Sequence, residues 1–89
     1  MSNMVEGFEA MEYTAALVGK TIRRLRLICK QSQEVFSGLA GIERSHLAKI
    51  ERGEKAANVE TLAKIAHAFD IRLSDLFLEI EKDMETPKE

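Results

Sequence analysis

The stretch from Ser32 to Gly53 places its apolar residues at the three- and four-residue spacing of amphipathic helices. Ser32 is a favourable N-cap, and Gly41 can adopt the left-handed conformation that ends a helix. Between them, the apolar stripe consists of Val35, Phe36 and Leu39. The pattern predicts a helix of roughly two turns that ends at Gly41.

A second short helix is predicted after Gly41 and ends at Gly53. Ile42 is expected to return to the core, and Glu43 is expected to cap the helix. The inward positions are Leu47 and Ile50, and the outward positions are Arg44, Ser45, His46 and Lys49. The outward side chains can donate to base edges and phosphates, which indicates a helix that enters the major groove of DNA. An ordinary solvated helix face is the alternative.

The distribution of charge favours the DNA interpretation. The 89 residues carry a formal net charge of -2, which by itself argues against a polyanionic partner. Residues 18–55 nevertheless contain nine basic residues against four acidic ones, and the remainder contains four against eleven. The basic region coincides with the two predicted helices, as phosphate binding requires.

Residues 18–77 resemble the lambda-repressor-like helix-turn-helix domain, in the XRE or Cro type of bacterial and phage regulators. The matching sequences are VGKTIRRLRL at 18–27, SQ at 32–33, AGI at 40–42, LAKIERG at 47–53 and NVETLAKIAHAFDIRLSDLF at 58–77. Each is common, but their order and spacing are specific. The resemblance implies an all-α fold of five helices with a short N-terminal arm.

The apolar period places these helices near residues 17–29, 33–40, 44–51, 59–69 and 74–82. Asn58 and Ser74 are predicted to be the N-caps of the last two. In the first predicted helix the expected core residues are Val18, Ile22, Leu25 and Cys29. In the fourth they are Val59, Leu62, Ile65, Ala66 and Phe69, and in the fifth they are Leu76, Phe77 and Ile80. We expect an arm over 1–16, one small domain over 17–82 and an acidic tail over 83–89.

The resemblance also implies DNA-binding roles for individual residues. Gln33 matches a glutamine that forms a hydrogen bond with a DNA phosphate and supports the recognition helix, which is the predicted helix over residues 44–51. The groove-facing positions are matched by Arg44, Ser45, His46 and Lys49, with Arg44 the best candidate for a bidentate contact to guanine. Contacts to the DNA backbone are expected from Arg52, Lys55 and the amides near Asn58.

Two further features concern the stability of this region. Arg26 and Glu51 match a pair that ties the first helix to the end of the third, although an ordinary surface ion pair is the alternative. In the second helix Ser37 and Gly38 depart from the family pattern. The Ser37 hydroxyl needs a partner such as a carbonyl one turn back, and Gly38 should cost about 1 kcal/mol relative to alanine.

One recognition helix makes few contacts with bases, so a homodimer is expected, as is usual in the family. The proposed dimer surface is Phe77, Leu78 and Ile80, unless Phe77 and Ile80 belong to the core and Leu78 alone is exposed. An apolar stripe of Met4, Phe8, Met11 and Ala15 could pack on the core, extend the first helix, contribute to a dimer contact or remain a loose tail. Glu34 and Glu43 are candidates for a contact with RNA polymerase.

No catalytic, metal or cofactor site is expected. His46, His67 and Cys29 have no zinc or catalytic spacing, and a buried inert thiol is the expected state of Cys29. No segment is apolar for long enough to cross a membrane, and a cytoplasmic protein without a membrane partner is expected. The predicted function is that of a sequence-specific transcriptional regulator of palindromic double-stranded DNA, similar to Cro-like repressors and restriction-modification controller proteins. An antitoxin or protein-interaction module on the same fold is the alternative.

Overall fold

The computed structural model describes residues 13–85, which contain five helices and no strands. In chain order they are α1 (Ala15–Ile28), α2 (Gln33–Ala40), α3 (Arg44–Glu51), α4 (Val59–Ala68) and α5 (Leu73–Glu85). The predicted bounds of α2 and α3 are correct, and α5 extends three residues beyond its predicted end. The stripe through Met4, Phe8 and Met11 lies outside the described residues.

Side-chain caps explain where several of these helices begin. Ser32 Oγ accepts a hydrogen bond from the amide of Val35 at 3.1 Å, and Asn58 Oδ1 accepts one from the amide of Thr61 at 2.8 Å, as predicted for N-caps. Glu43 precedes α3 but makes no side-chain capping bond. The α3 amides nearest to it are therefore not satisfied by a cap.

The prediction that Ser74 caps α5 is wrong. The helix starts at Leu73, one residue earlier, and the Arg72 amide donates to Asp75 Oδ2 at 3.1 Å. A carboxylate three residues into a helix can reach back to the amide that precedes the first turn, as in a capping box. Asp75 therefore fixes the start of α5, and Ser74 lies inside its first turn.

The core is formed by residues from all five helices. The fully buried apolar side chains include Ile22, Phe36, Leu47, Ile50, Ile65, Leu76 and Ile80. Phe36 of α2 packs against Phe69, which follows α4, with ring centroids 4.4 Å apart. Ser37 is also buried, and its hydroxyl donates to the Glu34 carbonyl at 3.1 Å, which is the local partner expected for it.

Several residues predicted to be buried are exposed. In α2 the inward positions are Phe36, Ser37 and Ala40, so Val35 and Leu39 are rotated out of the core and into solvent. Cys29 is exposed because it follows the last residue of α1. Val59 is 65% exposed because it is the first residue of α4 and lies at the rim of the core.

Helices α1 and α3 approach each other closely at Gly19. A Cβ atom at this position would lie 2.0 Å from the carbonyl oxygen of Ile50. Glycine is therefore required by the approach of the two helices, although in the sequence it only interrupts an apolar stripe. The contact brings α1 against the carboxyl end of α3, where the candidate site begins.

Polar contacts join α1 to α5 on another side of the fold. Arg24 donates to Glu79 at 2.9 Å and to Asp83 at 3.0 Å, and the Thr21 hydroxyl donates to the same Asp83 oxygen at 2.6 Å. Because α1 also packs against α3, these contacts hold the long fifth helix in a fixed relation to the helix-turn-helix. Over residues 13–85, no helix is long and apolar enough to span a bilayer.

Candidate nucleic-acid interface

Helix α3 buries one side and presents a polar side to solvent. Leu47, Ile50 and Glu51 are buried, while the exposed residues are Arg44, Ser45 and Lys49. His46 is half-buried, so it offers less of its ring than the sequence pattern suggested. Three of the four predicted groove-facing residues are thus exposed along one short helix.

The carboxyl-terminal end of α3 is held by a buried ion pair. Arg26 of α1 donates from Nε to Glu51 Oε2 at 2.7 Å and from Nη2 to Glu51 Oε1 at 3.0 Å. Its Nη1 donates to the Gln31 carbonyl at 2.6 Å, so each of the three guanidinium nitrogens makes a hydrogen bond. The hydrogen bonds to Glu51 raise the pKa of Arg26 above its ordinary value despite burial. The pair is internal, unlike an ordinary surface ion pair.

Gln33 joins the same arrangement from the first turn of α2. Its Nε2 donates to Glu51 Oε1 at 3.0 Å, and its side chain is half-buried. Glu51 therefore accepts from α1 and α2 while belonging to α3, and we call these three residues the Arg26–Glu51–Gln33 cluster. The Gln33 amide nitrogen has a second hydrogen that this bond leaves available for another acceptor.

The loop after α3 contains the three predicted backbone-contact residues, all of them exposed. Arg52 is already engaged, since its Nε donates to Glu54 Oε2 at 2.8 Å and its Nη2 to Glu54 Oε1 at 3.2 Å. This contact raises the pKa of Arg52 and lowers that of Glu54. Asn58 uses its side-chain oxygen to cap α4, so the amides at the start of α4, rather than this oxygen, could face an anion there.

The structure separates engaged cations from available ones in the basic region. Arg24, Arg26 and Arg52 form ion pairs. The side chains of six other basic residues of the region form no hydrogen bond or ion pair with residues 13–85. They are Lys20, Arg23 and Lys30 on or just after α1, and Arg44, Lys49 and Lys55 on α3 and the loop that follows it. The sequence gives the number of basic residues but does not show that Arg24 is paired, because its partners are more than fifty residues away along the chain.

The predicted dimer surface on α5 requires one correction. Ile80 is 0% exposed and belongs to the core, because it occupies the same face of α5 as Leu76. Phe77 is half-buried, and Leu78 is 56% exposed. The exposed apolar area of this part of α5 is therefore smaller than predicted and is centred on Leu78.

An apolar groove lies on another side of the molecule, where α1, the loop before α4, α4 and α5 meet. Its volume is about 440 Å³, and its walls include Tyr13, Val18, Ala57, Val59, Leu62 and Phe77. None of its lining residues carries a formal charge. The groove is consequently unsuited to bind phosphate and is distinct from the polar side of α3.

Comparison with known proteins agrees with this arrangement. The family described as helix-turn-helix matches residues 22–76, which include the Arg26–Glu51–Gln33 cluster and the whole of α3. The chain belongs to the helix-turn-helix family. The resemblance to XRE or Cro-type domains that the sequence indicated is thereby confirmed, as is the five-helix all-α fold.

Two relatives of this helix-turn-helix protein are controller proteins. Control protein C.MunI of Mycoplasma sp is 36% identical over 52 residues, which cover 58% of this chain and 70% of that protein. The restriction-modification controller protein C.AhdI from Aeromonas hydrophila is 33% identical, with a TM-score of 0.68, over 71% of this chain and 96% of that one. The similarity thus covers nearly the whole of C.AhdI.

A second solved structure shows how widely the fold is shared. The clp gene regulator ClgR from Corynebacterium glutamicum superposes with a TM-score of 0.74 at 22% identity, over 83% of this chain and 79% of that one. At this identity the similarity establishes the helix-turn-helix fold alone. It therefore supports the architecture and carries no information on function.

Proposed function

We propose that this helix-turn-helix protein is a sequence-specific transcriptional regulator of the restriction-modification controller type, which inserts α3 into the major groove of DNA. The observation that supports this most strongly is the exposed row of Arg44, Ser45 and Lys49 on a helix fixed at its far end by the Arg26–Glu51–Gln33 cluster. A rigidly placed helix with donor side chains can match the acceptor pattern of base edges.

The proposed contacts divide into two groups. Arg44 is assigned to a guanine, because its fork of donors fits the O6 and N7 acceptors, while Ser45, His46 and Lys49 line the rest of the groove-facing side. Gln33, Arg52, Lys55 and the amides after Asn58 are assigned to phosphates on either side. The first group selects the sequence, and the second sets the register of the protein on the duplex.

We further propose that the protein binds a palindrome as a homodimer. The exposed Leu78 on α5, beside half-buried Phe77, provides the apolar centre of the contact. A two-fold dimer would present two copies of α3 to successive major grooves, about 34 Å apart. Substitution of Leu78 by glutamate would place two like charges across such an interface and should shift the protein to monomer in analytical ultracentrifugation.

Selection of bound duplexes from a random pool tests this function. We expect enrichment of an inverted repeat whose half-sites are separated by one helical turn, about 10 base pairs. Enrichment of a single unrepeated site would refute the dimer but retain the reading role of α3. Recovery of no preferred sequence at low salt would refute the regulator itself, and co-purification with a second small protein would then favour the antitoxin class.

A further inference from the structure

The apolar groove has an open, uncharged wall that the function proposed above does not use. Val59 at its rim is 65% exposed, although valine is usually buried. The volume of the groove, about 440 Å³, falls within the range of about 300–1,000 Å³ that is typical of ligand pockets in proteins. The groove is therefore large enough to receive apolar side chains from elsewhere.

Tyr13, the first residue that the structure describes, lies on the wall of this groove. Its ring packs edge to face against Phe77, with the centroids 6.0 Å apart. Its hydroxyl donates to the Glu81 carboxylate, and this hydrogen bond, with burial, raises the pKa of Tyr13 to about 12. Tyr13 is thus held on the wall of the groove by two residues of α5, and residues 1–12 are joined to the chain at Tyr13.

The sequence of residues 1–12 has the spacing of an amphipathic helix with an acidic polar side. Met4, Phe8 and Met11 recur at intervals of four and three, which places them together on a helix. On the same helix the acidic residues Glu6, Glu9 and Glu12 fall outside that apolar stripe. Such a segment can bury apolar side chains against an uncharged groove while its carboxylates remain in water.

We propose that residues 1–12 dock in the apolar groove of their own chain, with the Phe8 ring against Val59. Phe8 precedes Tyr13 by five residues, about 8 Å along a helix and up to about 17 Å if extended, so it can reach the groove. The covalent connection at Tyr13 gives the segment an effective concentration in the millimolar range, which a second copy of the chain would have to exceed. Docking would also cover Ala56 and Ala57, which lie between Lys55 and Asn58.

The direct test is a nuclear Overhauser measurement on the full-length protein. We expect contacts between the Phe8 ring protons and the Val59 methyl groups in a uniformly labelled sample. In an equal mixture of labelled and unlabelled chains, a filtered experiment that detects only intermolecular contacts should show none. Contacts that survive the filter would assign the groove to a second copy, and the absence of contacts in both samples would refute docking altogether.

A double-mutant cycle gives an independent test. If the two side chains touch, Phe8→Ala and Val59→Ala should each raise the unfolding equilibrium constant, and their coupling should be about threefold or more. The control cycle pairs Phe8→Ala with Val35→Ala, which is also an exposed valine but lies on α2 away from the groove. Equal coupling in the two cycles would overturn the proposal. Neither measurement involves DNA, so a failure of the docking proposal is distinguishable from a failure of the proposed regulator function.

Discussion

Glu51 at the end of α3 is bound by Arg26 of α1 through two hydrogen bonds of 2.7 and 3.0 Å, and both residues are buried. Gln33 of α2 adds a third bond to the same carboxylate at 3.0 Å. The carboxylate therefore connects the three helices that position the polar side of α3. A side chain that does not face solvent thus determines how the exposed residues are presented.

Removal of Glu51 should strongly destabilise the fold. Glu51→Ala leaves the Arg26 guanidinium buried without its carboxylate, which costs about 3 to 5 kcal/mol. We expect this decrease in the free energy of unfolding in urea. Glu54→Ala is the matched control, since Glu54 also pairs with an arginine but at the surface, and it should leave stability unchanged. Similar small effects of both substitutions would show that the buried pair does not hold the helices together.

Two helical glycines should respond to alanine in opposite directions. At Gly38, which is exposed, a Cβ atom would meet nothing within 4 Å, so Gly38→Ala should stabilise α2 by about 1 kcal/mol. At Gly19 the added atom would lie 2.0 Å from the Ile50 carbonyl oxygen, so Gly19→Ala should force α1 away from α3 and lower stability. Thermal unfolding of the two variants checks this, and a shift of both midpoints in the same direction would contradict it.

Glu79 should contribute stability that is lost in acid. The hydrogen bond from Arg24, followed by that from Lys82, lowers the pKa of Glu79 below its usual value. Its contribution is thus fully present above about pH 4.3, the ordinary glutamate pKa, and disappears as the pH falls through the lowered value of the folded state. Glu79→Gln should therefore flatten the decline of the unfolding free energy in acid, measured by urea unfolding at a series of pH values.

Glu60→Gln provides the control for that measurement. Glu60 is an exposed carboxylate in the first turn of α4, and its removal changes the net charge by the same amount. Its unfolding curve should retain the acid dependence of the parent protein. If Glu79→Gln also retains that dependence, the contacts with Arg24 and Lys82 do not contribute to the pH profile.

The fold was largely predictable from the sequence because its signals are local. Ser32, Gly41 and Asn58 cap or end helices through contacts within a few residues, and they act as predicted. The phase of α2 was not predictable from its apolar stripe, since Phe36 is flanked by Val35 and Leu39 at compatible spacing and only tertiary packing selects the inward side. The same limitation explains Ile80, which was placed on a dimer surface but lies in the core.

The candidate site was predicted less completely than the fold. The residues on α3 follow from helical spacing, and the Arg26–Glu51 contact followed from the resemblance. The contact between Arg52 and Glu54 was missed, although both side chains lie within a three-residue segment after α3. Whether they meet depends on how the chain turns at Gly53, which has a positive φ of 76°. The structure was therefore needed to determine which basic side chains are paired and which are not.

The Arg52–Glu54 contact leads to a prediction for DNA affinity. A carboxylate on the guanidinium competes with phosphate, so Glu54→Gln should release Arg52, tighten binding to all duplexes and steepen the salt dependence by about one unit. Fluorescence anisotropy at several salt concentrations measures both effects. Glu85→Gln at the end of α5 makes the same change in net charge and should alter the affinity much less. Identical behaviour of the two variants would mean that Arg52 does not contact phosphate.

The most direct test of the account is the affinity of the parent protein and Arg44→Ala for a selected operator and for a scrambled duplex of the same composition. The parent should prefer the operator by about a thousandfold or more. Arg44→Ala should lose about 1 to 3 kcal/mol on the operator and little on the scrambled duplex, whereas Lys55→Ala should weaken both alike. Equal affinity of the parent for the two duplexes, or an equal loss on both from Arg44→Ala, would contradict the claim that α3 reads the sequence of DNA.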